Sequence, residues 1–124
     1  MPRRQSSLFL VLCLALVVHA QTNDAVDRAR QLASTANDAA ATLEERQDAL
    51  RKLQESAQLF LSAGEKIEAA RVLNRAGRLH LILNSPLDSI DAHNQALSLL
   101  KDTPAVEVEV DNLNGLAAAY MLTP

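Results

Sequence analysis

The chain has 124 residues, 48% of them hydrophobic but only 2% aromatic, with twelve basic and fifteen acidic side chains and a net charge of −3. That length holds one domain, and the acidic balance excludes a surface built to neutralise nucleic-acid phosphates or anionic lipid, which needs clustered cations. A lone cysteine, Cys13, excludes an internal disulfide or a cysteine metal cluster, so stability has to come from packing.

In chain order, Arg3 and Arg4 give a basic start and Leu8–Val18 an apolar run, followed by Val18-His19-Ala20, compact residues at the positions a signal peptidase reads. This order predicts a signal peptide over 1–20 cut after Ala20, because the run is far shorter than the ~20 residues that cross a bilayer. The mature chain is expected to begin at Gln21, secreted or periplasmic and free of the membrane, with ten basic against fifteen acidic residues and a net charge of −5. Cys13 lies in mid-run behind Val11-Leu12, away from the place of a lipoprotein cysteine, and leaves with the leader.

Beyond Gln21, alanine, leucine and charged residues dominate, with few glycines and prolines, and the expected class is all-α. Residues 21–41 form an Ala-rich helix and linker, the helix running over Asp24–Asn37 with Val26, Ala29, Leu32, Ala33 and Ala36 on one stripe. Thr42 followed by Glu45 is a capping box. It opens a second helix with Leu43, Leu50, Leu53, Ala57 and Phe60 facing one way until Ala63-Gly64. A third helix, Lys66–Leu83, carries Ala69, Leu73, Ala76, His80 and Leu83 on one face and Val72 and Leu79 on another, so it needs cover from more than one side. Ser85-Pro86-Leu87-Asp88 supplies an N-cap, a proline at the first helical position and an acid in the first turn. The fourth helix that follows has Leu87, Ile90, Ala96, Leu97 and Leu100 inside. Thr103-Pro104 repeats the device for a fifth. There Ala105–Val110 alternates like a strand, but Val106, Val110, Leu113, Ala117 and Tyr120 keep helical spacing over a longer stretch.

Sliding the chain by forty residues lays Leu73-Asn74 on Leu113-Asn114, Gly77 on Ala117 and His80 on Tyr120, and upstream lays Ala49 on Ser89 and Ser56 on Ala96. Helix pairs recurring at such a period bury their apolar faces on one another as a solenoid. Gly77, His80, Ser89 and Ala96, with Leu73, Ala76 and Leu97 at the larger apolar places, resemble the tetratricopeptide repeat, in which small residues mark the close helix crossings. His80 and His93 stand where that family has aromatic residues. More narrowly, Ala63-Gly64-Glu65 through Glu68-Ala69 to Leu73-Asn74 and Gly77 is similar to the repeat arrays that precede caspase-like CHAT peptidase domains in bacterial proteins. The resemblance implies antiparallel helix pairs stacked as a short right-handed solenoid over 42–124, with the last repeat incomplete. The implied packing positions are Leu73, Gly77, His80, Ser89, His93, Ala96, Leu97, Leu113, Ala117 and Tyr120.

The residue inventory points away from catalysis: no serine sits in a nucleophile-elbow pattern and His80 and His93 lack a third metal ligand at suitable spacing, so neither cofactor nor metal is expected. The local constellation is Arg71, Arg75 and Arg78, at i, i+4 and i+7 of the third helix, with Asn74 beside them. The family resemblance puts these positions, and Asn114 one repeat on, along a concave groove. Such a set would grip an acidic segment or a C-terminal carboxylate of a peptide by charge-assisted hydrogen bonds. Its alternative is a solvated face balanced by Glu68 and nearby acids. The expected function is an exported, non-catalytic helical scaffold binding protein or peptide. The competing readings are a remnant of a longer array without separate function, and a helical protein that self-associates through the uncovered face of its fifth helix.

Overall fold

The structure, a computed structural model, describes residues 3–124, with side chains from Ser6 onward, so the side chains of Arg3 and Arg4, the basic start of the expected signal peptide, lie outside the described ones. Among the described residues the protein is all-helical, with five helices and no strand: α1 (Arg3–Thr35), α2 (Leu43–Ser62), α3 (Lys66–Ile82), α4 (Pro86–Leu99) and α5 (Val106–Met121).

In place of a separate helix over Asp24–Asn37, the apolar N-terminal run and the Ala-rich segment form one continuous helix of 33 residues, which runs without a break through Ala20-Gln21. Its two halves differ in what they bury. Leu8, Phe9 and the following large apolar side chains to Val18 are 52–74% exposed, whereas Ala29, Leu32 and Ala36 are buried. Ser6–Thr35 is long and apolar enough to cross a membrane, and an N-terminal signal sequence carries the same signature. The second half lies on α2, where the small side chain of Ala29 lets the backbones approach and Ser56 Oγ donates to the Ala29 carbonyl at 2.7 Å.

Local chemistry explains most helix ends. The Glu45 N–H donates to Thr42 Oγ1 and the Thr42 N–H to Glu45 Oε2, both at 3.2 Å, closing the capping box that starts α2. Those bonds to Thr42 hold the Glu45 carboxyl below its ordinary range. Leu43, the first residue of α2, is 61% exposed and falls outside the buried stripe of Ala49, Leu53, Ala57 and Phe60. Gly64, at φ 77°, ends the helix with its N–H donating to Leu61 O and the next N–H, of Glu65, to Phe60 O. Asn84, at φ 59°, repeats that motif after α3, with its N–H on Leu81 O and that of Ser85 on His80 O. Asparagine tolerates the left-handed region because its short polar side chain costs little there.

Two expected caps differ. Ser85 occupies the N-cap of α4 and Pro86 its first turn, but the serine side chain makes no capping bond. Thr103-Pro104 does not open α5, which begins at Val106 with Ala105 at the N-cap, and Glu107 and Glu109 in the first turn favour the positive end of the helix instead. The alternating Ala105–Val110 run has no strand beside it among the described residues to take its backbone bonds, and the helix satisfies them internally.

Each helix packs on the one before it, and α3 also touches α5. Contact with α2, α4 and α5 is why α3 buries Ala69, Ala70, Val72, Leu73, Ala76, Gly77 and Leu79 around much of its circumference. On α4, Ser89 and Ala96 are fully buried and Leu97 half-buried, while Leu87, at the helix start, is 69% exposed.

The rotation of α5 departs from the forty-residue repeat. Leu113 and Tyr120 are 48% and 57% exposed and Ala117 is also exposed; the buried face is instead Val108, Asn112 and Ala119, with Gly115 half-buried between them. An offset of thirty-eight residues, laying Asn74 on Asn112 and Gly77 on Gly115, describes this rotation. The cause is steric. The inner face of α5 meets the His93 ring, and a Cβ at position 115 would stand 2.3 Å from His93 Cε1, so only glycine fits there.

Candidate functional site

The three arginines of α3 have three different fates. Arg75 turns back to the end of α1: its Nε meets Asp38 Oδ2 at 2.6 Å and its Nη2 meets Asp38 Oδ1 at 2.8 Å. The same guanidinium donates to the carbonyls of Ala33 at 2.9 Å and Ala36 at 3.2 Å. These are C-terminal carbonyls that α1 cannot satisfy itself, and a fixed fork of donors suits two of them and a carboxylate together. Charge-assisted bonds contribute about 1.5–3 kcal/mol when sheltered, less where water competes, and the Arg75 side chain keeps 33% exposure. Arg75 thus ties α1 to α3, and with Asp38 and Arg78 it lines a separate hollow of about 190 Å³. Arg71 is exposed, with Glu68 Oε1 at 3.7 Å one turn away, a solvated pair of the kind that contributes a few tenths of a kcal/mol.

Asn74 and Arg78 meet Asn114 across an open hollow of about 510 Å³ between α3 and α5, completed by Asp111, Leu81 and Ala118 among others. Arg78 is exposed and makes no ion pair among the described residues. Asn74 is 9% exposed, and its Oδ1 has no hydrogen-bond partner. A buried acceptor left empty costs about 1–3 kcal/mol, so a small turn of the Asn74 amide towards the hollow that met a donor would be favoured. The structure therefore brings together Asn74, Arg78 and Asn114 of the five expected groove residues and leaves Arg71 and Arg75 elsewhere. It adds Asp111, whose carboxylate gives the hollow a wall of opposite sign to Arg78. That residue is exposed and follows no apolar periodicity, and the thirty-eight-residue offset was the signal that would have turned it towards α3.

The two histidines do not meet in one site. His80 is half-buried in a groove of about 700 Å³ bordered by α2 and α4, floored by Ala57, Leu73, Ala76 and Ala92. Burial lowers its pKa, with Asp88 opposing. His93 is fully buried between α3 and α5: a Cβ at Gly77 would stand 2.6 Å from its Nε2, and one at Gly115 2.4 Å from the same atom. His93 Nδ1 lies 3.0 Å from Asn112 Oδ1, and Asn112 Nδ2 donates to the Val108 carbonyl at 2.9 Å. With the amide nitrogen of Asn112 committed, its oxygen has to accept, so the hydrogen sits on Nδ1 and Nε2 is a bare lone pair without a partner. Burial pushes the His93 pKa down, Asn112 works against that, and the charge of Arg78 adds to it. Asn112 and Gly115 carry this cage, and neither stands out in the apolar pattern because one is polar and the other has no side chain.

Among the described residues, no three His, Cys, Asp or Glu side chains converge as a metal site. Compared with protein-family models, curated proteins and solved structures, the chain gives no match.

Proposed function

We propose that the protein is a helical binding scaffold of the tetratricopeptide-repeat type, a short solenoid whose hollow between α3 and α5 holds an extended peptide segment of a partner protein. The observation that carries this reading is Asn74, a buried amide whose Oδ1 has no partner, lining a hollow together with Arg78, Asn114 and Asp111. A peptide bond offers an N–H donor and a carbonyl acceptor side by side, which complements an asparagine amide, and a nearby carboxylate complements the Arg78 guanidinium. The ligand this supports is an acidic or C-terminal segment. No group in the hollow is asked to do chemistry.

Calorimetric titration of the full chain in mild detergent tests it, using an acetylated peptide that ends in two aspartates and a free carboxylate. Asn74→Ala and Arg78→Ala should each weaken binding by about tenfold, the effect of 1.4 kcal/mol, and Arg71→Ala should change little. Equal affinity in all three variants, or no binding to the parent chain, would remove the hollow from consideration.

Export accompanies this reading. The exposed apolar half of α1 and the Val18-His19-Ala20 sequence support cleavage after Ala20 and release outside the cytoplasm. Mass spectrometry of protein recovered from its host is expected to find Gln21, or its cyclised form, as the first residue; a cytoplasmic chain beginning at Met1 would contradict it.

A further inference from the structure

We propose that His93 is a proton-sensitive latch: taking up a second proton on its ring releases α5 from α3 and α4. The argument rests on the cage. The ring is wholly enclosed, Nδ1–H is held by Asn112 Oδ1, and Nε2 faces Gly77 and Gly115 with no acceptor. A proton on Nε2 would create a buried N–H cation with nothing to receive it, and the glycine backbones on both sides leave no room for a bridging water.

The surroundings offer the cation no compensation. From α3 the charged group facing the ring is Arg78, which repels it; α5 presents the neutral Asn112 and Gly115, and its acids Glu107, Glu109 and Asp111 are exposed to solvent. On α4, Asp91 lines the opposite groove, beside His80 and Asp88. Of the helices that meet at the ring, α3 also packs on α2, and α4 packs more extensively on α3 than α5 does. Local opening therefore takes the weakest attachment, and α5 is the element that leaves.

The sign follows from linkage. Burial sets the ring's pKa in the packed state below the value of about 6.5 that it regains when α5 has left. Attachment of α5 is therefore complete above about pH 6.5 and is lost as pH falls from there through the packed-state value, by up to tenfold per pH unit. Because Asp111 and Asn114 travel with α5, the peptide hollow would open with it, a consequence that rests on the function proposed above; the latch itself does not.

Hydrogen exchange of the full chain in mild detergent, corrected for the intrinsic pH dependence of exchange, tests the latch. Protection over 106–121 should fall by up to about tenfold between about pH 7.5 and about pH 5.5, while α2 and α3 keep theirs. His93→Phe should abolish that difference. Should the phenylalanine ring not fit the cage, Asn112→Asp decides, because a carboxylate on Nδ1–H stabilises the imidazolium in place and should shrink the acid loss. In the unmodified chain the His93 ring resonances should titrate with the midpoint of α5 release. Protection of α5 that is independent of pH, or that falls equally in both variants, would overturn the proposal.

Discussion

Replacing Gly115 by alanine should destabilise the protein by about 1–3 kcal/mol, and replacing Ala117 by leucine should cost almost nothing. The new methyl at 115 would stand 2.3 Å from His93 Cε1, inside any permitted contact. A flexible neighbour would swing aside, but His93 is fully buried, pinned by Asn112, and backed by Gly77 on its other side. Relief requires α5 to slide outward and surrender the contacts of Val108 and Ala119. Ala117 points to solvent and has no such neighbour. For a domain near 100 residues the loss corresponds to a melting temperature lower by about 4–8 °C for each kcal/mol. The opposite ranking, with Ala117→Leu the damaging change, would restore the forty-residue offset and rotate α5 by about half a turn.

The chain without residues 1–20 is expected to self-associate through the outer face of α5, and Val110→Lys with Leu113→Glu should return it to a monomer. That face carries Val106 at 74% exposure, Val110 and Leu113 at 48%, Tyr120 at 57% and Met121 at 85%. Burying one such side chain is worth about 1.5–3 kcal/mol, and several along one helix make a contiguous patch of a kind monomers seldom expose. The substituted side chains are half exposed and stand outside the buried core cluster, so stability at high dilution should change little while the sedimentation coefficient drops. A parent chain that sediments as a monomer at high concentration, with α5 protected as well as α3, would show that the face needs no cover.

Helix boundaries were readable in the sequence wherever a local device sets them. Thr42 and Glu45 close a box within one turn, Gly64 ends α2 by adopting φ 77°, and Pro86 starts α4. Those signals lie within a few residues of the effect they produce, which is why they survive without knowledge of the fold. Thr103-Pro104 misled because α5 is held by the packing of Val108 and Asn112 on α4, and its cap follows from that contact.

The candidate site was legible in residue type and only partly in place. Asn74, Arg78 and Asn114 lie around one hollow, the placement that the resemblance to the tetratricopeptide repeat implies. Arg75 looks identical to Arg78 in the sequence, yet the Asp38 carboxylate and two carbonyls at the end of α1 claim it, from partners 37 to 42 residues away.

The sequence by itself determined the all-helical class, the number of helices, the acidic balance and the apolar N-terminal run, because each depends on composition or on periodicity along one helix. Only the tertiary structure decided which way α5 faces and what His93 does. Val106-Val110-Leu113-Ala117-Tyr120 and Val108-Asn112-Gly115-Ala119 are both good helical stripes, and hydrophobicity favours the first. The second is the one that is buried, because an enclosed imidazole on α4 needs a hydrogen-bond acceptor on one edge and a residue without a side chain against its face, and those demands exist only once two helices have met.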